Sequence, residues 1–145
     1  MLHAIDTDFL VALEIRDHVF HKTADALLNW LLDEGHELAV APQILAEFVH
    51  VVTDAKRLKE PLSMEDALAR AEHWWQAREV FRIYPMGDTV TKWIEWLRDH
   101  RIGRKRLLDT MLAATCAEQG ISMIISNNAV DFQVFRNFKI LSYAS

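Results

Sequence analysis

The sequence predicts an α/β fold with a mainly parallel sheet and helices on both of its faces. Two observations carry this expectation. Short apolar runs alternate along the chain with longer segments whose apolar residues recur at helical spacing, the pattern of successive βαβ units. The late run from Ile121 to Ile125 holds hardly a polar residue, as expected of a strand covered on both sides.

Leu2 to Ile5 reads as the first strand and stops at Asp6. His18 to Asp33 carries Val19, Ala26, Leu27, Trp30 and Leu31 at helical spacing and stops at Gly35. Leu38 to Ala41 is the second strand, and Pro42 opens a helix through Val52. Ser63 with Asp66 resembles a capping box with a shorter acid and starts a helix to about Arg78. Val80 to Tyr84 is the third strand, closed by Pro85. Asp88 to Asp99 and Leu108 to Glu118 are helical, the second ending at Gly120. The strand Ile121 to Ile125 follows, and Phe138 to Leu141 forms a fifth.

Composition bounds the function. A chain of 145 residues with no repeat or linker is expected to form one domain, residues 1–145. One cysteine, Cys116, allows neither an internal disulfide nor a cysteine-based zinc site, and a reducing, cytoplasmic home is expected. Asp6 and Asp8 interrupt the apolar N-terminus, which argues against a signal peptide or membrane anchor. Four glycines and no Walker-type or Rossmann loop argue against a nucleotide cofactor. The net charge of −5 argues against gripping nucleic acid by bulk charge. It leaves room for an enzyme whose carboxylates carry divalent cations to the phosphates.

Parallel sheets place their sites at the carboxyl ends of the strands. Asp6 and Asp8 directly follow the first strand, Glu47 lies in the helix after the second, Asp109 opens the helix before the fourth, and Asn128 and Asp131 follow the fourth. Crowded carboxylates repel one another, and a hard cation resolves the repulsion. One or two Mg²⁺ ions there would orient a water and neutralise the charge developing on a phosphodiester. Each residue also has a structural reading. Asp6 and Asp8 suit a helix cap or the helix dipole, the latter the favoured reading for Asp8. Glu47 suits a solvent face, Asp109 a first helical turn, and Asn128 and Asp131 a tight turn.

Four segments, in order, carry a family likeness. Asp6-Thr7-Asp8-Phe9-Leu10, Pro42 to Phe48 with Glu47, Leu107 to Thr115 with Asp109, and Ser126 to Phe132 resemble the motifs of PIN domains, most closely the VapC-type toxins. The resemblance spans residue 2 to about 141. It implies a three-layer α/β/α sandwich and a Mg²⁺- or Mn²⁺-dependent endoribonuclease. It implies an acidic core of Asp6, Glu47 and Asp109, with Thr7 and Ser126 as hydroxyls that orient carboxylates or a water. The fourth family position, often acidic, is Asn128 here, and the resemblance then implies that Asp131 supplies the metal-binding charge. The partners it implies are an RNA substrate, a small antitoxin and a second copy of the chain in a homodimer.

Other features are less specific. Arg104, Lys105 and Arg106, just before Asp109, either hold RNA phosphates or form a solvated loop. His50 lies near Glu47 on one helix face and reads best as a partly buried structural histidine. Trp74, Trp75, Trp93 and Trp96 read first as core packing, an exposed subset suiting a partner. Two other functions compete with the nuclease. A phosphoacceptor signalling domain needs a lysine after a late strand, where this chain has Ser126-Asn127-Asn128. A catalytically weak PIN-fold module that binds RNA or protein is compatible with Asn128, whereas Asp6, Glu47 and Asp109 together argue against it.

Overall fold

A computed structural model describes residues 1–144. The elements run β1 (Leu2–Ile5), α1 (Thr7–Glu14), α2 (His21–Asp33), β2 (Glu37–Val40), α3 (Pro42–Val52), α4 (Met64–Gln76), β3 (Val80–Arg82), α5 (Gly87–Asp99), α6 (Leu107–Glu118), β4 (Met123–Ile125), α7 (Val130–Gln133) and β5 (Lys139–Leu141). A 3₁₀ turn at Arg104–Arg106 leads into α6.

The sheet is parallel throughout, in the order β3-β2-β1-β4-β5. From β1 the chain winds outward through β2 to β3, then crosses back to β4 and β5 on the other side. Right-handed crossovers therefore send α1 to α4 to one face and α5 to α7 to the other. The contacts agree: α1 packs on α2 and α3, α3 on α4, α5 on α6, and α6 on α7. The result is the expected three-layer α/β/α sandwich.

Covering both faces makes the central strands apolar. Ala4 and Ile5 of β1, Val40 of β2 and Ile124 and Ile125 of β4 are fully buried. Phe9, Phe48, Leu31 and Ile44 cover one face, and Leu112 and Phe132 belong to the opposite layer. Along α6, Ala113, Ala114, Thr115 and Cys116 are all buried. Small side chains let this helix lie close to the sheet. Thr110 and Thr115 satisfy their buried hydroxyls by donating to the carbonyls of Arg106 and Met111, at 2.8 and 2.7 Å. Burial pushes the Cys116 thiol up to about 12, so it stays protonated.

Helix ends follow local chemistry. Pro42 opens α3 at its first turn. Ser63 Oγ accepts from the Asp66 N–H at 3.1 Å and caps α4. Gly35 and Gly120 take φ +79 and +71, which lets the next N–H, of His36 or Ile121, close the helix on the carbonyl of Leu31 or Cys116.

The structure departs from expectation at α2, which begins at His21 rather than His18. The His18 ring nitrogen accepts from the Phe20 N–H at 3.0 Å and holds a turn there. Val19 is consequently 82% exposed instead of joining the apolar face. Strand β3 ends at Arg82, before the expected Tyr84, and β4 starts at Met123 because Ile121 is used in closing α6.

The tryptophans mostly pack. Trp74 is buried with its Nε1 donating to Glu14 at 3.2 Å, Trp96 stacks on Phe135 with ring centroids 4.5 Å apart, and Trp93 donates to the Leu107 carbonyl at 2.9 Å. Exposed apolar residues include Trp30 on α2, Met64 and Leu68 on α4, Val90 and Ile94 on α5 and Leu108 on α6. No helix of the described residues is long and apolar enough to cross a membrane.

Close packing of α6 on the sheet yields a test. Ala113→Leu adds volume at a fully buried position. It is expected to cost about 1–3 kcal/mol. The measurement is urea unfolding, read as a lower midpoint at unchanged slope. Wild-type stability would show that α6 has slack against the sheet.

Candidate functional site

The strand order reverses between β1 and β4, so the loops leaving their carboxyl ends diverge and open a crevice. Asp6 stands at this point. Its backbone N–H donates to Ile125 O at 3.1 Å, tying it to the end of β4. Its Oδ1 accepts from the Thr7 N–H at 2.8 Å and caps α1, and its Oδ2 accepts from the Ser126 hydroxyl at 2.8 Å. Asp6 is therefore both a cap and a wall of the crevice, and its two readings are not exclusive.

Asp8, in the first turn of α1, also faces the crevice. Its Oδ2 accepts from the Asn127 N–H at 2.9 Å, with Ser126 Oγ and Asn128 Nδ2 each 3.4 Å away. The Ser126 hydroxyl, fully buried, accepts from the Asn128 N–H at 2.9 Å. Glu47 comes from α3 and Asp109 from the first turn of α6. Asp6, Thr7, Asp8, Glu47, Asp109 and Asn128 line a single cavity of about 270 Å³.

Burial and like charge act together here. The Asp6 carboxyl is pushed up to about 8, by burial first and then by the Asp8 charge; Asp109 adds to the push, while the Ser126 and Thr7 hydrogen bonds oppose it. Asp109 is raised to about 6, by burial, then by Asp131 and Glu47, against the pull of Arg106. Burial also raises Asp8, opposed chiefly by the Asn127 N–H. Burial raises Glu47, opposed by the nearby Thr7 hydroxyl and His50.

The lining donors are oxygens, which suits a hard cation rather than a soft one. Thr7 Oγ1 and Asp8 Oδ1 are buried without a hydrogen-bond partner, a condition that a hydrated cation would relieve. Among the described residues no three His, Cys, Asp or Glu side chains are already gathered as a ligand set. The cavity therefore fits an ion that keeps several of its own waters and takes one or two direct carboxylates, which is the habit of Mg²⁺.

Asp6, Glu47, Asp109, Thr7 and Asn128 thus share one cavity, and Ser126 braces it from behind. Asp131 is not among the residues that line it, but its charge is close enough to raise the Asp109 carboxyl from the rim. Its side chain is 3.5 Å from the Arg106 guanidinium, and Arg106 also donates to the Asp131 carbonyl. That pairing engages Arg106, whereas Arg104 and Lys105 are exposed on the 3₁₀ turn. His50 is exposed, not partly buried as expected. The sequence reading favoured a cap or helix-dipole role for Asp8 and did not single out Arg57 or Tyr143. Asp8 joins the cavity wall, held by the N–H of Asn127, 119 residues away, which no local pattern reveals. Arg57, from the loop after α3, also lines the cavity, and no local pattern marks it. Tyr143, packed on Phe9 with ring centroids 5.0 Å apart, sits beside Asp8, which raises its phenol; the first cause is burial.

The family model of the PIN domain matches residues 4–136. The chain belongs to the PIN domain family. Solved structures with this fold include VapBC2 from Rickettsia felis bound to a DNA fragment from its promoter, at a TM-score of 0.68 and 16% identity over 98% of each chain. VapBC-1 from nontypeable Haemophilus influenzae aligns over 100% of both chains at 16% identity and a TM-score of 0.66. Mycobacterium tuberculosis VapC20, a sarcin-ricin loop cleaving toxin, aligns at 18% identity and a TM-score of 0.66 over 86% of this chain and 87% of its own. No curated protein matches by sequence. At these identities the likeness to the solved structures is one of fold.

The charge crowding in this PIN domain sets a pH dependence. Asp6 binds its proton more tightly in the folded chain, at about 8, than at its ordinary value of 3.8. Its contribution to stability is full below about 4 and is lost as pH rises toward 8. With a chelator present, the urea midpoint is expected to fall across that window. Asp6→Asn should flatten the fall, leaving the smaller share from the other acids. A midpoint that rises with pH over the same window would contradict this electrostatic picture.

Proposed function

We propose that this PIN domain is a Mg²⁺- or Mn²⁺-dependent endoribonuclease and the toxin of a VapBC-type toxin–antitoxin module. The observation that carries the reading is the cavity at the carboxyl edge of the sheet, into which Asp6, Asp8, Glu47 and Asp109 converge. Phosphodiester hydrolysis asks for a held cation and an oriented water, and carboxylates supply both needs.

In this reading Asp6, Glu47 and Asp109 are the catalytic acids. Asp6 and Asp109 would hold the divalent ion, with Asp131 adding charge at the rim. The bound ion would lower the pKa of a water and offset charge on the scissile phosphate. The chain's own groups do the positioning. The Ser126 hydroxyl and the Thr7 N–H orient the Asp6 carboxylate, and Asn128 holds the 126–128 turn against Asp8. Glu47, its pKa raised by burial, accepts the proton of the attacking water. Arg104 and Lys105 take flanking phosphates. Arg106 acts mainly on Asp131.

The toxin–antitoxin complexes among the solved structures of this fold favour a small antitoxin as partner. An apolar segment of such a partner fits the shallow cavity of about 440 Å³ between α3 and α4, where Leu45, Leu68, Ala71 and Trp75 are presented. The exposed Val90 and Ile94 of α5 suit the contact of a homodimer. An RNA substrate places the action in the cytoplasm. A catalytically weak PIN-fold module that binds RNA or protein is the second reading. Asn128, at a position often acidic in the family, favours it.

Asp109→Asn preserves shape and removes one charge. Cleavage of a mixed RNA pool in Mg²⁺ is expected to fall roughly a hundredfold or more. Asp131→Asn should cost less, because Asp131 stands at the rim and Arg106 holds it. Added chelator should stop the wild-type reaction. Cleavage by Asp109→Asn at the wild-type rate would show that the assigned acids are not the site.

A further inference from the structure

The carboxylate cavity does not end at Glu47. A second cavity, of about 420 Å³, shares Glu47, Val51 and Arg57 with it. The two therefore adjoin along these three residues. Ala46, Val51 and Leu108 give the second part an apolar wall, and His50 and Arg57 give it polar groups. Leu108, beside Asp109, is 50% exposed, so its side chain is offered to a ligand rather than to the core. Arg57 is the one cation among the described residues lining the carboxylate cavity. Among the described residues its only ion pair is with Asp54, 3.5 Å away and three residues back on the same loop. Exposed pairs of this kind hold an arginine weakly, which leaves it able to turn inward.

We infer that this extension is a nucleotide subsite, in which a base flanking the cleaved bond rests on Leu108 and Val51 and the adjoining phosphate meets Arg57. The inference rests on the nuclease reading above. Charge complementarity selects the occupant. Glu47 and Arg57 line both parts, but Asp6, Asp8 and Asp109 line only the first, so an anion meets less repulsion in the extension, where Arg57 attracts it. An apolar wall beside a single guanidinium matches one nucleoside and one phosphate of a single strand. The fork of Arg57 can bond that phosphate or lie on the base.

The test is fluorescence anisotropy with a labelled, mixed-sequence single-stranded RNA held in chelator, which withholds the cation that hydrolysis needs, run beside RNA cleavage in Mg²⁺. Both Arg57 and Leu108 are exposed, so their variants should fold. Arg57→Ala is expected to weaken binding roughly tenfold and to lower the salt dependence by about one phosphate contact. Arg57→Lys should restore the salt dependence and only part of the affinity. Leu108→Ser should weaken binding with the salt dependence unchanged. Arg78→Ala, a cation at the opposite edge of the sheet, should bind as the wild type does. If the wild type cleaves RNA while Arg57→Ala and Leu108→Ser bind the probe normally, the subsite is wrong and the nuclease reading stands. If the Arg57 and Leu108 effects appear but no RNA is cleaved, the subsite stands and the nuclease reading fails. A wild type that neither binds nor cleaves overturns both.

Discussion

Asp6 holds a carboxylate, only 4% exposed, at the place where the strand order of the sheet reverses. Much of the surrounding structure follows from keeping it there. The crevice exists because β1 and β4 send their connections to opposite faces. At its base α1 and the 126–128 turn meet, joined through Asp6, Asp8, Ser126 and Asn127. Each hydrogen bond given to Asp6 and Asp8 offsets part of the cost of burying charge. Ser126, in turn, is fully buried and uses its one hydroxyl both to donate to Asp6 and to accept from Asn128.

The opposite wall depends on packing rather than hydrogen bonding. Asp109 reaches the cavity because α6 lies close to the sheet, which its run of Ala113, Ala114, Thr115 and Cys116 permits. A bulkier sequence would lift the helix and withdraw the carboxylate. Glu47 reaches it because Ile44 and Phe48, its neighbours on α3, are buried and hold the helix in register. The core thus sets the spacing of the acids, and the acids in turn destabilise the metal-free fold as they ionise. A site that destabilises its own scaffold until a ligand arrives is a common form of trade between stability and function. The pairing of Arg106 with Asp131 limits the imbalance at the rim without reaching the centre.

Features that depend on neighbours in the chain were legible in the sequence. The strands, the proline start of α3, the Ser63 cap and the glycine stops of α2 and α6 need only a few adjacent residues. Placement of Asp6 at a strand end and of Glu47 and Asp109 on helices was legible for the same reason, since parallel topology brings such positions to one edge. The start of α2 was misread because the His18 turn competes with helical periodicity, and a side chain to backbone bond decided it.

The sequence by itself determined the α/β class, the three layers, the order of the elements and the set of acids that could meet. Tertiary structure alone decided which of them share a cavity and with what neighbours. Asp8 faces the cavity instead of serving only its helix because Asn127 comes to it from across the sheet. Arg106 is bound to Asp131, and Arg57 takes a place in the cavity wall, because two loops far apart in the chain fold against one edge. The physical reason is common to all three. Secondary structure obeys local sterics and periodicity, whereas the field around a buried charge is made by whatever the fold brings within a few ångströms of it.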